Sequence, residues 1–428
     1  MQNQHFDTQA VHAGFRCDPG TGSVAVPIHQ TSAYLYKSSE YAARIFELKE
    51  LGWIYTRLQN PTLDVFEQRM AALEGGIAGV ATASGQQAEF IALFNLARCG
   101  DHIISSGSLY GGTVSLLKNT FKRMGVDVTF VDMTNPESMR KAFKPNTKAV
   151  YFEALANPKN EVLEYAEIAR IGHEYGVPVI CDNTALTPAL FKPFEHGVDI
   201  VLASATKMLG GHGTSMGGIV VDSGRFDWGA EPKKWPQFTE PDDYYHGMNF
   251  HAAFGNLCYA FMLRTHWLRD FGGCMSPFNA SLILQGLETL HLRASRCAQA
   301  AQTVAEFLAG HPKVSWVNYP GLPSHPGHAL AQKYLPKGCG AILGFGIKGG
   351  KAAGQKFIES VELALHVANI GDARTLVIHP ATTTHSQLNA MELRAAGVPE
   401  DYIRVSIGLE APEDVIADLD QALGKAAD

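Results

Sequence analysis

The sequence lacks the features that mark several large classes of protein. It has no C-x-x-C pair. Its seven cysteines (Cys17, Cys99, Cys181, Cys258, Cys274, Cys297 and Cys339) are scattered and odd in number, which suits free thiols in a reducing compartment rather than a disulfide framework. No run reaches the roughly 18 uninterrupted apolar residues of a membrane span. The stretch MQNQHFDTQAVHAGF has no basic segment followed by an apolar core, so it does not read as a secretory signal. Basic charge is not in excess: 35 Lys and Arg against 42 Asp and Glu leave a net charge of −7. That balance suits neither nucleic acid nor an anionic membrane surface. There is no low-complexity tract and no internal repeat. The expectation is a cytoplasmic protein without nucleic-acid or membrane partners.

Several site motifs are missing too. GHGTSMGG does not carry the G-x-G-x-x-G spacing of a dinucleotide fold, and no P-loop G-x-x-x-x-G-K-[ST] occurs. No H-E-x-x-H is present; His379 and His385 stand six apart without a partner pair, and His246 and His251 are equally loose. No metal site is expected. A strand-to-helix hydrolase elbow is not expected either.

What the sequence does have is alternation. The first sixty or so residues, with DPGTGSVAVPIHQTSAY, are rich in residues that punctuate rather than propagate helices. From about Thr62, short apolar runs alternate with helical ones: GVATAS, HIISSG, DVTFVDM, KAVYFEAL, PVICDN, DIVLASA and GGIVVD are the strand-like members. Short strands separated by helices of about a dozen residues imply crossovers and a mostly parallel sheet. After about Phe250 the texture shifts to a long helical stretch over roughly Asn279 to Ala309, then VSWVNY, AILGFGI, TLVIHP and YIRVSIGL, and a last helix. Three segments are expected: an arm over 1–61, an α/β large domain over 62–256, and a smaller α+β C-terminal domain over 257–428.

Open α/β sheets bind ligands beyond the carboxyl ends of their strands. Those ends offer Ser84, Gly85 and Gln86 at a helix start, Tyr110 after HIISSG, Asp182 after PVIC, and Ser204, Thr206 and Lys207 after DIVLA. Together they supply a phosphate cradle, an aromatic ring, an acid and a lysine. Pyridoxal 5′-phosphate (PLP) uses all four: a lysine for its Schiff base, an acid for its pyridine nitrogen, a phosphate site and a stacking ring. Each group alone also has an ordinary structural use. Lys207 suits an exposed loop, Asp182 a turn, Ser204 and Thr206 a helix cap, and Tyr110 the rim of a core.

The longer motifs YTRLQNPT, ASGQQA, LYGGT, CDNTALTP, HGVDIVLASATKMLGGHG and HPATTTHSQL, within a stretch running from TQAVHAG to IRVSIGLE, resemble the Cys/Met-metabolism family of PLP-dependent enzymes. The resemblance implies an aminotransferase-like fold of type I. It implies that Lys207 carries PLP, that Asp182 pairs with the pyridine nitrogen, and that Tyr110 stacks on the ring and takes part in catalysis with Lys207. Gly85, Gln86, Ser204 and Thr206 would hold the phosphate. Tyr55 and Arg57 would reach the phosphate of a neighbouring subunit, in a homotetramer of two dimers that share active sites. Arg404 and Asn157 would bind substrate. Asn369 and Arg374 stand where family members that make or cleave cystathionine typically carry serine and glutamate, and Thr113 where methionine γ-lyases carry cysteine. Arg374 in place of an acid would favour a small anionic nucleophile, although pairing with a surface acid is its plainer use. The function so implied is γ-replacement on O-acetyl-L-homoserine by sulfide or methanethiol, a step in methionine biosynthesis yielding homocysteine or methionine plus acetate. A γ-lyase or a cystathionine synthase or lyase on the same scaffold is the alternative.

Overall fold

The computed structural model describes residues 4–387 and 389–426. The outer ends of the expected 1–61 and 257–428 segments, and the last residue of HPATTTHSQL, lie outside the described residues. The strand-like runs of the first half become β1 (Ala78–Thr82), β2 (His102–Ser106), β3 (Asp127–Val131), β4 (Thr147–Glu153), β5 (Val179–Asp182), β6 (Ile200–Ser204) and β7 (Gly218–Asp222). They form one sheet in the order β1-β7-β6-β5-β4-β2-β3. β7 runs antiparallel to both β1 and β6, and every other pair is parallel. The sheet is covered on both faces, which is why its strands read as unbroken apolar runs. Successive residues feed opposite cores: Ile103, Ile180 and Val220 enter one, Ile104, Val179 and Val221 the other.

The second sheet is built from β8 (Val314–Asn318), β9 (Ile342–Ile347), β10 (Leu365–His366), β11 (Leu376–Ile378) and β12 (Tyr402–Ser406), in the order β10-β11-β12-β9-β8. Only β10 and β11 pair in parallel. The four expected strands are present as β8, β9, β11 and β12. The two-residue β10 is too short to leave a periodic signal. The helical stretch expected over Asn279 to Ala309 is two helices, Pro277–Glu288 and Leu290–Gly310, parted at Thr289 with φ −112° and ψ 12°. In the arm, helices Phe6–His12 and Ser39–Phe46 flank an irregular segment in which Ala33 forms an isolated β-bridge with Tyr55. Among the described residues, no helix is long and apolar enough to cross a membrane.

One buried cation ties helix Leu290–Gly310 to the turn after β6. Arg293 is 6% exposed. Its guanidinium donates to the carbonyls of Met208 (2.7 Å), Leu209 (3.2 Å) and Gly286 (2.5 Å). The first two are carbonyls of the turn itself, which a turn buried away from water must satisfy; the third lies near the end of helix Pro277–Glu288. The fit is close at Gly211: φ is +74°, and a Cβ there would lie 2.0 Å from Arg293 Nη1. Glycine is therefore required both by backbone conformation and by space. A buried acid lies at the end of helix Pro61–Glu74. Glu74 is 1% exposed, accepts one bond from Asn183 Nδ2 (3.2 Å), and leaves Oε2 without a partner. Burial raises it to about 8.

Arg293→Met is expected to destabilise the protein by about 3 kcal/mol, because buried carbonyls lose their donors; Gly211→Ala should destabilise it too. Denaturant titration of both variants checks this. Glu74 has a folded pKa above its unfolded one. Its favourable contribution is full below the unfolded value and fades as pH rises through about 8. Glu74→Gln should therefore melt higher than the wild type at about pH 9 and lose that advantage near about pH 5, as thermal melts at the two pH values would show.

Candidate active site

The carboxyl ends of β1, β4, β5 and β6 meet one end of the second sheet at a single cleft. Ser84, Gly85, Gln86, Tyr110, Asn157, Asp182, Ser204, Thr206, Lys207, Asn369 and Arg404 all line it. The structure thus brings together residues spread over more than three hundred positions.

At the β1 end, helix Gly85–Phe94 starts with Ser84 as its cap, whose Oγ accepts from Gln87 N at 3.1 Å. The amides of the first turn have no partner within the helix, which makes this a ready anion site. Gly85 is dictated by space, since a Cβ would sit 2.6 Å from that of Ser204. Ser204 and Thr206 line the same region from the end of β6. Thr206 Oγ1 accepts from Gly217 N at 3.0 Å, which closes the loop that carries Lys207.

Asp182 ends β5. Its Oδ1 accepts from Thr184 N at 2.8 Å, and burial raises it to about 6. Lys207 follows β6, with Nζ donating to Asn369 Oδ1. Burial and, next, the charge of Arg404 push the lysine below its usual range. Arg404 lies on β12 in the second sheet. It donates to Asn157 Oδ1 (3.4 Å) and to the Asn369 carbonyl (3.2 Å). Burial lowers its pKa as well. Tyr110 is 53% exposed at the mouth, and its backbone N–H donates to Glu153 Oε1 at 2.5 Å. Gly112 leaves room for its ring, because a Cβ there would meet Tyr110 Cε1 at 2.4 Å.

Three expected residues lie elsewhere. Tyr55 and Arg57 sit on the arm. Tyr55 is 43% exposed, and Arg57 Nη1 donates to the Arg269 carbonyl at 2.5 Å. Arg374 does not line the cleft. It pairs with the buried Asp372 at 2.8 Å and donates to the His212 carbonyl at 2.8 Å, with more than half its side chain exposed. Sequence reasoning also passed over two cleft acids, Glu89 and Glu153. Each did leave a trace: a lone charge in the apolar helical run QQAEFIALF and a lone acid inside the apolar run KAVYFEAL. Gly213–Gly217 spells G-x-S-x-G, a match that the sequence reading did not credit. It leads into strand β7 rather than from a strand into a helix, so it lacks the setting of a hydrolase elbow.

The donor set fits PLP. The Gly85 and Gln86 amides, which have no partner within the helix, suit a phosphate with hydroxyl residues nearby, a buried acid suits a pyridinium, and a buried lysine of lowered pKa suits an aldehyde.

Comparison with known proteins agrees. The chain is 50% identical to a "Homocysteine synthase" of Schizosaccharomyces pombe over 424 residues, covering 99% of each. It is 51% identical to an "O-acetyl-L-homoserine sulfhydrylase" of Leptospira meyeri over 426 residues, covering 97% of this chain and 96% of that one. Among solved structures, it is similar to an O-acetylhomoserine (thiol)-lyase of Campylobacter jejuni, with a TM-score of 0.95 and 41% identity over 98% of this chain and all of the other. That structure carries N′-pyridoxyl-lysine-5′-monophosphate. A family model described as "Cys/Met metabolism PLP-dependent enzyme" matches residues 7–424. The chain belongs to the Cys/Met-metabolism family of PLP-dependent enzymes.

Proposed function

We propose that this enzyme replaces the acetoxy group at the γ-carbon of O-acetyl-L-homoserine with sulfide, giving homocysteine and acetate; methanethiol in place of sulfide would give methionine. The observation that carries the reading is the meeting of Lys207, Asp182 and Arg404 in one cleft, in a chain whose full-length relatives bear sulfhydrylase and homocysteine synthase names.

The residues divide the work by chemistry. Gly85 and Gln86 amides with the Ser204 and Thr206 hydroxyls would hold the PLP phosphate, Asp182 its ring nitrogen, and Lys207 its aldehyde carbon. The bound group supplies an electron sink that stabilises negative charge developing at the substrate α-carbon. Arg404 presents a planar pair of donors for the α-carboxylate, steadied by Asn157 and the Asn369 carbonyl. Lys207 Nζ, with its proton held less tightly than an ordinary lysine's, takes the α-proton and later returns it. Tyr110, at the mouth of the cleft, would stack on the cofactor ring. In net balance, the γ C–O bond breaks as acetate leaves with its electron pair, hydrosulfide forms the C–S bond, and the α-proton is restored.

Arg374 enters this reading through its hold on the His212 carbonyl, which fixes the glycine loop beyond Lys207. Tyr55 and Arg57 belong to a neighbouring copy's phosphate site. Supporting this, the arm exposes Leu35, Phe46 and Leu51 at 97%, 57% and 74%, apolar surface that a second copy would cover. A tetramer of two site-sharing dimers and a cytoplasmic setting complete the proposal, the latter supported by seven free cysteines.

The purified enzyme, given PLP and O-acetylhomoserine, should form homocysteine with sulfide and methionine with methanethiol, identified by mass. Cystathionine with cysteine, or 2-oxobutyrate and ammonia without any thiol, would overturn the reading. Lys207→Ala should lose the visible absorption of covalently held cofactor. Arg404→Leu should keep that absorption while raising KM for the amino acid roughly 10- to 100-fold, which steady-state kinetics would measure.

A further inference from the structure

Three carboxyl side chains crowd the inner end of the cleft. Glu153 on β4 and Asp182 on β5 are register partners on adjacent parallel strands, an arrangement in which like charges oppose one another. Glu89 faces them from helix Gly85–Phe94, and its strongest charge interaction is repulsion from Asp182. Their polar neighbours are hydroxyl, amide and main-chain donors rather than cations. Three anions in such a place are too many.

The hydrogen bonds say which acid is worst provided for as an anion. Glu153 receives one donor on each oxygen, Tyr110 N at 2.5 Å and Asn157 N at 3.1 Å. Asp182 receives Thr184 N on Oδ1 and lines the cleft. Glu89 is 2% exposed and has both its donors on one oxygen: Thr113 Oγ1 and Gln86 Nε2, each 3.1 Å from Oε2. Its Oε1 is buried with no partner, as is Tyr151 Oη, a fully buried hydroxyl on β4 two residues before Glu153.

We propose that Glu89 is a positioning residue that stands in the cofactor pocket as a neutral acid: Thr113 and Gln86 hold one oxygen, the other carries the proton, and Asp182 is left as the carboxylate available to the cofactor's ring nitrogen. The inference rests on the PLP reading of the cleft. Burial and the Asp182 charge raise Glu89 to about 8, so the neutral form prevails at neutral pH. Burial and, next, the Asp182 charge push Glu153 well up too, and its two oxygens, each with one amide donor, keep the Tyr110 and Asn157 loops in register.

Difference infrared spectroscopy on the full-length enzyme tests this. At neutral pH, Glu89→Gln should remove one protonated-carboxyl C=O band. In the wild type that band should move when PLP is added to the cofactor-free protein. Thr113→Val, which deletes a donor to Oε2, should shift the band without removing it. The pH midpoint of the visible absorption of bound PLP should stay put in Glu89→Gln. No band lost in that variant, a band indifferent to PLP, or a midpoint lowered by about one pH unit, as loss of a nearby anion would cause, would each overturn the proposal. If Glu89→Gln does not fold, an unshifted band in Thr113→Val overturns it instead. Wild type that gains no visible absorption with PLP would fail the cofactor reading, and the infrared band of the protein alone would still decide the Glu89 proton.

Discussion

The cleft depends on a guanidinium that never reaches it. Arg293 fills the space behind the turn after Lys207, satisfies the turn carbonyls of Met208 and Leu209, and ties them to the Gly286 carbonyl near the end of helix Pro277–Glu288. A turn this tight has few other solutions, because a buried main-chain oxygen without a donor costs about 1–3 kcal/mol. With Arg293 in place, the chain can bend through Gly211 and bring its carbonyl to Ala373 N at 2.8 Å. That bond joins the Lys207 turn to the second sheet. Gly371 repeats the constraint from the other side, with φ +67° and a missing Cβ that would fall 2.6 Å from Met208 N. Lys207 therefore sits on a segment held between the two sheets, and its side chain meets Asn369 as a result.

From that anchorage follow the electrostatics. Burial works against every charge in the cleft, but in opposite directions: it raises Asp182, Glu89 and Glu153 and lowers Lys207 and Arg404. The acids gather at the strand ends of the large sheet, while the two cations face each other across the gap to the small one. On the proposed reading, an anionic α-carboxylate at Arg404 would ease the mutual repulsion of Lys207 and Arg404. A cationic ring nitrogen beside Asp182 would likewise ease the crowded acids. The charges of the cleft thus suit a zwitterionic amino acid and a cofactor that is anionic at one end and cationic at the other.

The alternation of short apolar runs and helices placed the parallel sheet, and the same logic of strand ends pointed to Gly85, Asp182, Ser204 and Lys207. Family motifs added Arg404, Asn157 and Asn369, which the fold brings to the same cleft. Glu89 and Glu153 escaped because an acid inside an apolar run reads as a surface interruption until its surroundings are known. Arg374 shows the converse. Its residue type suggested an anion selector, but its neighbour two positions earlier, Asp372, is buried and captures it.

What the sequence determined by itself was local: where strands end, which residues stand there, and that a glycine-rich turn follows a lysine. These are properties of neighbouring residues and of period, and they survive without tertiary information. What only the tertiary structure decided was which charges share a low-dielectric space. β12 delivers Arg404 to Lys207 across almost two hundred residues, the register of β4 on β5 sets Glu153 beside Asp182, and helix Gly85–Phe94 lowers Glu89 onto both. Ionisation is set by burial and by the distance between charges, and neither is written in the spacing along a chain.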